Sequence, residues 1–281
     1  MEKKYELSRD VATEIFETTI VPYLFATAKP VANPNFFMVG GQPGSGKTAL
    51  VSYSKEILNN NYISVDGDLL RRFHPSYAEL FKNYGADASK YTHLDCARWS
   101  IWAIRKAREL KYNVILENTL RDKNILQTIE LFHQNGYEIK VKVMVVSELE
   151  SALGLFQRYF DALSLSKSSG VAPRYSSKAR HDETCNNLPN TIEAIQKQGL
   201  SNLEFYRRGT ESIEKIAIPK NINSFKDFYL KSKDYPFTIE ELKYIKEELF
   251  RIQNLLNNHI SSRECVEDFK SLEEEVKNII K

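Results

Sequence analysis

An α/β fold, in which a mainly parallel sheet carries helices on both faces and a helical hairpin follows, is the architecture that this sequence predicts. Three observations support it. Short apolar runs alternate with helical segments, the first run leads into a glycine-rich turn, and residues 238–281 repeat apolar side chains at intervals of three and four. Strand–helix alternation favours parallel strands, because a crossover helix must connect one strand to the next.

Five short segments are predicted strands. Residues 35–40 are an apolar run that meets glycines, as a buried strand does, and apolar residues alternate along 139–145. The predicted strands are 35–40, 62–66, 112–117, 139–145 and 212–218, and the helices between them include 48–58 and 95–110.

Two helical flanks surround this core. Residues 8–27 form a predicted helix that Pro22 disturbs. Capping-box patterns begin both helices of the hairpin, at 238–241 and at 261–264. We expect these two helices to pack on the core or on each other; a partner-binding or self-inhibitory appendage is the alternative. The predicted domains are a helical segment at 1–34, a central domain at 35–237 and the hairpin at 238–281.

The composition excludes several classes of protein. Lys and Arg number 39 and Asp and Glu 37, so a net charge of +2 gives no general argument for nucleic acid or a membrane surface as the partner. No apolar run approaches the roughly 18 residues of a membrane span. The three cysteines are scattered, without metal-site or disulfide spacing, and the polar N-terminus lacks a signal core. We therefore expect a cytoplasmic protein.

A phosphate-binding loop is the strongest motif. The segment reads Gly41-Gln42-Pro43-Gly44-Ser45-Gly46-Lys47-Thr48 and fits G-x-x-x-x-G-K-[ST], with a predicted strand before it and a helix after it. Glycines let backbone N–H groups surround phosphates, and the helix N-terminus adds positive potential. Lys47 would contact the β- and γ-phosphates, and the Thr48 hydroxyl would ligate Mg²⁺. The loop predicts a bound nucleoside triphosphate with Mg²⁺, and by itself it does not choose between a kinase that uses ATP, a GTPase switch and a motor.

A kinase also needs a base for the acceptor hydroxyl. The sequence has no N-K-x-D motif for a GTPase and no long coupling domains for a motor. Asp66 and Asp68 follow the second predicted strand, where the carboxyl ends of parallel strands face a ligand crevice. We assign the base to Asp68, with Asp66 nearer Mg²⁺; an Asp-Gly-Asp turn that caps the next helix is the alternative.

Polar residues that suit an acceptor follow the third predicted strand. Glu117, Thr119 and Arg121 alternate, so in an extended segment they would line one side. Together they suit a polar acceptor that carries hydroxyls and phosphate. A surface loop capped at Thr119 is the alternative, and Glu117 is also a candidate for a role beside the metal.

Two arginines are candidates for the γ-phosphate. Arg158 and Arg174 flank the serine-rich stretch 164–170, which is predicted to be a mobile loop. Arginines on such a lid could neutralise charge in the transition state, although solvated surface positions are the alternative for each.

These motifs, in this order, resemble the zeta toxin family of P-loop kinases, the toxins of bacterial toxin–antitoxin pairs. The resemblance runs from about residue 35 to about residue 206. It is carried by the phosphate loop, Asp66-Gly-Asp68 with Phe73-His-Pro75, the segment 112–121, Arg158-Tyr159, Arg174, and His181-Asp182 with Asn187-Leu-Pro189.

The resemblance implies ATP-dependent phosphorylation of UDP-N-acetylglucosamine at the 3′-hydroxyl of its amino sugar, which blocks cell-wall precursor synthesis. It makes Asp68 the general base and places Arg158 and Arg174 on the γ-phosphate. Residues Glu117, Thr119 and Arg121 then contact the nucleotide sugar. It also implies a small helical antitoxin as a separate protein. Two alternatives stay open: a kinase of another nucleotide-linked or hydroxylated acceptor, and a nucleotide-binding regulator that phosphorylates no acceptor.

Overall fold

The computed structural model describes residues 5–84, 88–169, 175–209, 212–258 and 263–280. The strands are β1 (Asn35–Gly40), β2 (Ile63–Ser64), β3 (Val114–Asn118), β4 (Glu138–Met144), β5 (Asn202–Arg208) and β6 (Ile213–Lys215). The α-helices are α1 (Arg9–Ile15), α2 (Val21–Phe25), α3 (Lys47–Ile57), α4 (Gly67–Leu70), α5 (Tyr77–Tyr84), α6 (Ala88–Glu109), α7 (Ile125–Gln134), α8 (Glu148–Ser169), α9 (Lys178–Gln198), α10 (Phe225–Lys233), α11 (Ile239–Asn258) and α12 (Arg263–Ile280).

A mainly parallel sheet organises the fold, as the sequence predicts. Over the described part of the chain its six strands lie in the order β2-β3-β1-β4-β5-β6. Ile63 pairs with Val114 between the parallel strands β2 and β3, whereas β6 runs antiparallel to β5. Five of the six residues of β1 are buried, which explains its continuous apolar sequence.

Two predicted strands differ from the observed ones. The second is only the pair Ile63–Ser64, because Asp66 already caps α4. The strand after β4 is Asn202–Arg208, which the sequence analysis did not identify, and the predicted strand 212–218 is the short antiparallel β6. Strand β5 gives only a weak apolar pattern in the sequence, because both of its final arginines are exposed and only three of its seven residues are buried.

The chain divides into two compact units. The first comprises Met1–Met38, Ser52–Leu116 and Glu130–Lys140, and the second comprises Val39–Val51, Glu117–Ile129 and Val141–Lys281. In the first unit, the predicted helix at 8–27 is α1 and α2 joined by a π-helical turn, Phe16–Ile20. That turn precedes Pro22, which cannot donate a backbone hydrogen bond. Its Phe16 and Ile20 share a core with Trp99, whose indole N–H donates to Ala12 O at 2.8 Å.

The C-terminal hairpin is built into the core of the second unit. Helices α11 and α12 pack on α8, where Phe156 and Phe160 meet Ile252, Phe269 and other apolar residues of the hairpin. The Thr238 hydroxyl accepts from Glu241 N, and the Glu241 carboxylate accepts from Thr238 N, as the first capping box predicts. Part of the second capping box, residues 261 and 262, lies outside the described residues. The interpretation as two packed helices is confirmed.

We expect Phe269→Ala to lower the free energy of unfolding by about 3–5 kcal/mol, because Phe269 is 1% exposed and its truncation leaves a cavity beside Phe156. Phe250→Ala is the matched control on the same hairpin, because Phe250 is 70% exposed. Urea denaturation measures both. Equal losses for the two variants would contradict this packing.

Candidate functional site

The second unit contains the phosphate-binding loop. Strand β1 ends at Gly40 and α3 begins at Lys47, so a strand enters the loop and a helix leaves it, as predicted. Gly44 and Gly46 have φ angles of 77° and 85°, which side chains other than glycine rarely adopt. A Cβ on Gly44 would lie 1.9 Å from Ser151 O, and one on Gly46 would lie 2.3 Å from the Arg208 guanidinium. The loop therefore favours glycine at both positions for its conformation, and at Gly44 also for the close contact with the backbone of Ser151.

The groups in this loop fit a phosphate ligand. The Ser45 hydroxyl is buried and finds no hydrogen-bond partner within the described residues. A buried hydroxyl without a partner is costly, so a phosphate oxygen at this place would satisfy it. Thr48 follows in the exposed first turn of α3, where its hydroxyl is available to a cation. Among the described residues no cluster of three His, Cys, Asp or Glu could hold a metal, so a cation here would depend on Thr48, phosphate and water.

Lys47 lies at the centre of the loop. Its ammonium donates to Gly41 O and Gln42 O, both at 3.0 Å, and lies 3.9 Å from the Glu117 carboxylate. Burial lowers the pKa of Lys47 to about 8, with Glu117 acting in the opposite direction and Arg158 in the same one. A phosphate bound in the loop would give this buried charge an anionic partner in addition to the two carbonyl oxygens.

We expect nucleotide affinity to fall as the pH rises above about 8, because the free protein then loses the proton from Lys47 and must recover it to bind phosphate. Calorimetry in two buffers of different ionisation enthalpy measures this proton uptake. It should be near zero at pH 7 and should approach one proton per nucleotide about one unit above the pKa. A lack of proton uptake throughout would contradict the assigned role of Lys47.

Arg208 is a cation beside the loop that the sequence analysis missed. It ends β5, and its guanidinium lies over Gly46. The signal that could have identified it is the pair of arginines at the carboxyl end of a strand, which is the edge where ligands bind in parallel sheets. That signal was lost because the strand itself was not recognised.

The predicted acceptor residues do not share one side of an extended segment. Strand β3 ends at Asn118, and Leu120 has a φ of 55°, held by a hydrogen bond from its backbone N to the Asn118 side chain. The buried Leu120 side chain instead packs against Gly40, so the expected alternation is wrong. Glu117 faces Lys47, whereas the Arg121 guanidinium pairs with the carboxylates of Asp122 and Glu183. Thr119 is half-buried in this turn.

The serine-rich stretch is not a loop over the residues that the structure describes. Helix α8 continues to Ser169, and the Ser164 hydroxyl bonds back to Phe160 O at 2.9 Å. The stretch lacks proline, and glycine occurs only at its end, so nothing interrupts the helix. Arg158 on α8 is exposed, and its Nη2 donates to Ser176 Oγ at 3.3 Å. Gly170 and Arg174 lie outside the described residues.

Asp68 belongs to the first unit. Asp66 caps α4 by accepting a hydrogen bond from Asp68 N, so the capping alternative describes Asp66 correctly. The Asp68 side chain is 71% exposed, and its Oδ1 accepts two hydrogen bonds from Arg71, at 3.0 and 2.8 Å. The buried Arg71 also donates to Ser89 O and to the Thr92 hydroxyl. Arg71, which the sequence analysis missed, therefore fixes the orientation of an accessible carboxylate.

The His-Pro motif is structural. His74 is buried, and its Nε2 lies 3.4 Å from Asp95 Oδ2, which also accepts from Leu7 N. Its Nδ1 accepts from Ser76 N in the following turn. These contacts bind the chain before α1 to helix α6 within the first unit, and they leave both ring nitrogens of His74 directed into the interior.

Known proteins resemble this chain in sequence and in fold. The family model described as Zeta toxin matches residues 24–214. Toxin zeta from Streptococcus agalactiae is 34% identical over 180 residues, which are 63% of this chain and 62% of that protein. The match thus spans less than two thirds of the length of that relative. Toxin PezT from Streptococcus pneumoniae is 27% identical over 182 residues, 64% of this chain and 71% of that protein.

Solved structures show the same fold. One from a study of the PezAT chromosomal toxin–antitoxin system of Streptococcus pneumoniae has a TM-score of 0.76 at 23% identity and covers 90% of this chain and 99% of its own. A complex of AvrRxo1-ORF1 with AvrRxo1-ORF2 and ATP has a TM-score of 0.52 at 13% identity, with 95% and 83% covered. The family match covers well over half of the sequence, from the approach to β1 as far as β6. The chain belongs to the zeta toxin family.

Proposed function

We propose that this protein is an ATP-dependent kinase that phosphorylates the 3′-hydroxyl of the amino sugar of UDP-N-acetylglucosamine and so inhibits cell-wall precursor synthesis. The observation that supports it most is the phosphate loop, where a buried Lys47 and an exposed Thr48 follow a buried Ser45 hydroxyl that has no hydrogen-bond partner among the described residues. Membership of the zeta toxin family supports a toxin that acts as a kinase. The fold that the chain shares with a protein solved with ATP supports the choice of nucleotide.

The proposed reaction is a direct phosphoryl transfer. The Asp68 carboxylate accepts the proton of the acceptor hydroxyl, the sugar oxygen forms a bond to the γ-phosphorus, and the bond to the β,γ-bridging oxygen breaks to release ADP. Lys47 and Arg158 neutralise charge on the phosphoryl oxygens, and Arg174 is proposed to do the same. Thr48 would hold Mg²⁺, with Glu117 or Asp66 as further candidates. Bound there, Mg²⁺ would neutralise the charge that develops on the phosphate oxygens.

The nucleotide sugar is proposed to contact Glu117, Thr119 and Arg121. Arg121 is the best suited of the three to a diphosphate, because a guanidinium can form two parallel hydrogen bonds to phosphate oxygens. Its ion pairs with Asp122 and Glu183 are both formed with exposed carboxylates, so an incoming diphosphate could replace them at little cost. Glu117 would then serve either the sugar or the metal.

A separate small helical antitoxin is the proposed partner. The structural relative from Streptococcus pneumoniae comes from work on a toxin–antitoxin system, which supports a partner of this type. Inhibition by the chain's own residues 238–281 is the alternative. The hairpin helices supply buried residues to the core that contains α8, so their apolar faces are already occupied. If deletion of 238–281 leaves a folded protein with no gain in activity or toxicity, inhibition in cis is excluded.

Mass spectrometry of the products tests the proposed reaction. The protein is incubated with ATP, Mg²⁺ and UDP-N-acetylglucosamine, and the nucleotide sugar should gain one phosphoryl group while ADP appears. If ATP binds but the sugar is unchanged, UDP-N-acetylglucosamine is not the acceptor. A screen of a metabolite extract then distinguishes a kinase of another acceptor from a nucleotide-binding regulator, since the regulator phosphorylates no compound in the extract.

A further inference from the structure

A continuous chain of buried hydrogen bonds supports the phosphate loop from behind. Gln42 of the loop is buried, and its side-chain Nε2 donates to Val146 O at 3.0 Å and to Ser151 Oγ at 3.2 Å. Its Oε1 accepts from the Tyr229 hydroxyl at 3.0 Å. Ser151 Oγ lies 2.8 Å from His181 Nε2. Every side-chain atom of Gln42 that can form a hydrogen bond is therefore held by α8, α10 or the turn before α8.

The position of the ring proton on His181 decides which atoms donate and which accept in this series of hydrogen bonds. Its Nδ1 lies 2.8 Å from Asp182 Oδ1, and burial lowers the pKa of His181, so the ring is neutral at pH 7. Because a carboxylate only accepts, Nδ1 carries the ring proton and Nε2 is an acceptor that the Ser151 hydroxyl faces; that hydroxyl also lies 2.9 Å from Ser147 O and 3.0 Å from Glu148 O. Ser151 Oγ is then free to accept from Gln42. From Gln42 through Ser151 and His181 to Asp182, each hydrogen bond can therefore have its donor on the side of the loop.

The chain continues from Asp182 to the C-terminal hairpin. Lys178 on α9 lies 2.8 Å from Asp182 Oδ2 and 3.0 Å from Glu275 Oε1 of α12. Asp268 of α12 accepts from Lys178 N, also at 2.8 Å, at the start of a helix whose N-cap residue Ser177 makes no side-chain capping bond. The Asp268 carboxylate of α12 thus provides the capping hydrogen bond that the Ser177 side chain does not make.

Close packing places the loop directly on this support. A Cβ on Gly154 of α8 would lie 2.3 Å from Gly44 O, and one on Gly44 would lie 1.9 Å from Ser151 O. With no side chain between them, the loop backbone and helix α8 are in direct contact, so a shift of α8 would move the loop as well.

We propose that His181 is a positioning residue for nucleotide binding: anchored by Asp268 and Glu275 of α12, it holds the phosphate loop in place through Ser151 and Gln42. This gives the hairpin a role in the site, and its effect on affinity rests on the proposed function. His181 acts only through other residues. The network links residues that are far apart in the sequence. Loss of a hydrogen bond in α12 should therefore loosen the phosphate loop at Gln42.

Hydrogen–deuterium exchange of the free protein tests the proposal without any nucleotide. Ser151→Ala and His181→Ala should increase exchange of the amides of residues 41–48, since the loop loses its hydrogen-bonded support. Thr184→Val is the matched control. Thr184 is also buried on α9, but among the described residues its hydroxyl bonds to Arg180 O of its own helix and not to the phosphate loop or α8. We expect the loop amides to exchange faster than in wild type in His181→Ala and at the wild-type rate in Thr184→Val. Equal loop exchange in the two variants overturns the proposal.

Nucleotide affinity provides the second measurement. The dissociation constant of a fluorescent ATP analogue should rise about tenfold in His181→Ala and in Ser151→Ala, the loss expected for one net hydrogen bond of about 1.4 kcal/mol. His181→Gln should restore part of it, because a glutamine can also accept from Ser151. If wild-type protein binds no nucleotide, the proposed function fails, whereas the exchange experiment still decides the role of His181.

The contact of α9 with Asp268 of α12 is tested by a variant that keeps the hydrogen bonds from Gln42 to Asp182. Asp268→Ala removes the cap of α9, and it should increase loop exchange and weaken nucleotide binding by about threefold, with no further loss when it is combined with His181→Ala. Additive effects of the two changes would show that they act independently and would overturn the link to the hairpin. A melting temperature for each variant separates these effects from general loss of stability.

Discussion

Asp68→Asn protein should bind ATP as wild type does and yet transfer phosphate about 10²–10⁴ times more slowly, which is the usual contribution of a general base. Asparagine keeps the shape of the side chain and can still accept a hydrogen bond from Arg71, but it cannot take up the proton of the acceptor hydroxyl. The expected loss is therefore in kcat, with the affinity for ATP unchanged. Product formation by mass spectrometry and ATP binding by calorimetry measure the two quantities.

A matched control separates this effect from a general change of charge. Asp227→Asn also removes an exposed aspartate from the first turn of a helix, α10, and should leave turnover as it is. Undiminished turnover in Asp68→Asn would remove Asp68 from the reaction. If in addition the protein keeps its toxicity in cells while phosphorylating no compound, the nucleotide-binding regulator becomes the better description.

Lys47→Met should weaken ATP binding by about a hundredfold, because the phosphates lose charge-assisted hydrogen bonds worth about 3 kcal/mol. Methionine fills a similar volume beside Glu117 without a charge. Lys55→Met, at the far end of the same helix, is the control and should bind ATP as wild type does. Calorimetric titration measures both variants. Wild-type affinity in Lys47→Met would mean that the loop does not hold the nucleotide.

Lys47→Met should weaken nucleotide binding without lowering the stability of the nucleotide-free protein. The pKa of Lys47 is about 8 in the fold and 10.5 when unperturbed, so the unfolded chain binds more protons between these values. Burying the charged ammonium thus costs stability below pH 8, and this cost declines as the pH rises to 10.5. We expect Lys47→Met to melt no lower than wild type at pH 7. A loss of affinity accompanied by a lower melting temperature would instead indicate a damaged fold.

Local patterns in the sequence are sufficient for much of this fold. The buried strand β1 follows from its apolar run, the phosphate loop follows from its glycines and Lys47, and the hairpin follows from its capping box and apolar spacing. Each of these signals is contained within a few helical turns or less. The residues proposed for ATP and Mg²⁺ binding can therefore be found without coordinates.

Other features depend on contacts that no local window contains. Leu120 adopts a positive φ and packs against Gly40, which is distant in the sequence, so the chain after β3 is not extended and Arg121 does not alternate with Glu117. The guanidinium of Arg71 pairs with Asp68, one helical turn before it, but it is also held by Ser89 O and the Thr92 hydroxyl on α6.

The sequence by itself determined the class of fold, the loop that suits a nucleotide and the family, because these depend on residues that are adjacent or regularly spaced. Only the tertiary structure showed that Gln42, Ser151 and His181 form one buried chain behind that loop and that α12 caps α9. Hydrogen bonds between residues more than a hundred positions apart, such as Gln42 and Ser151, form only after the chain has folded. Apolar periodicity indicates which side chains are buried, but it does not indicate which residues they contact.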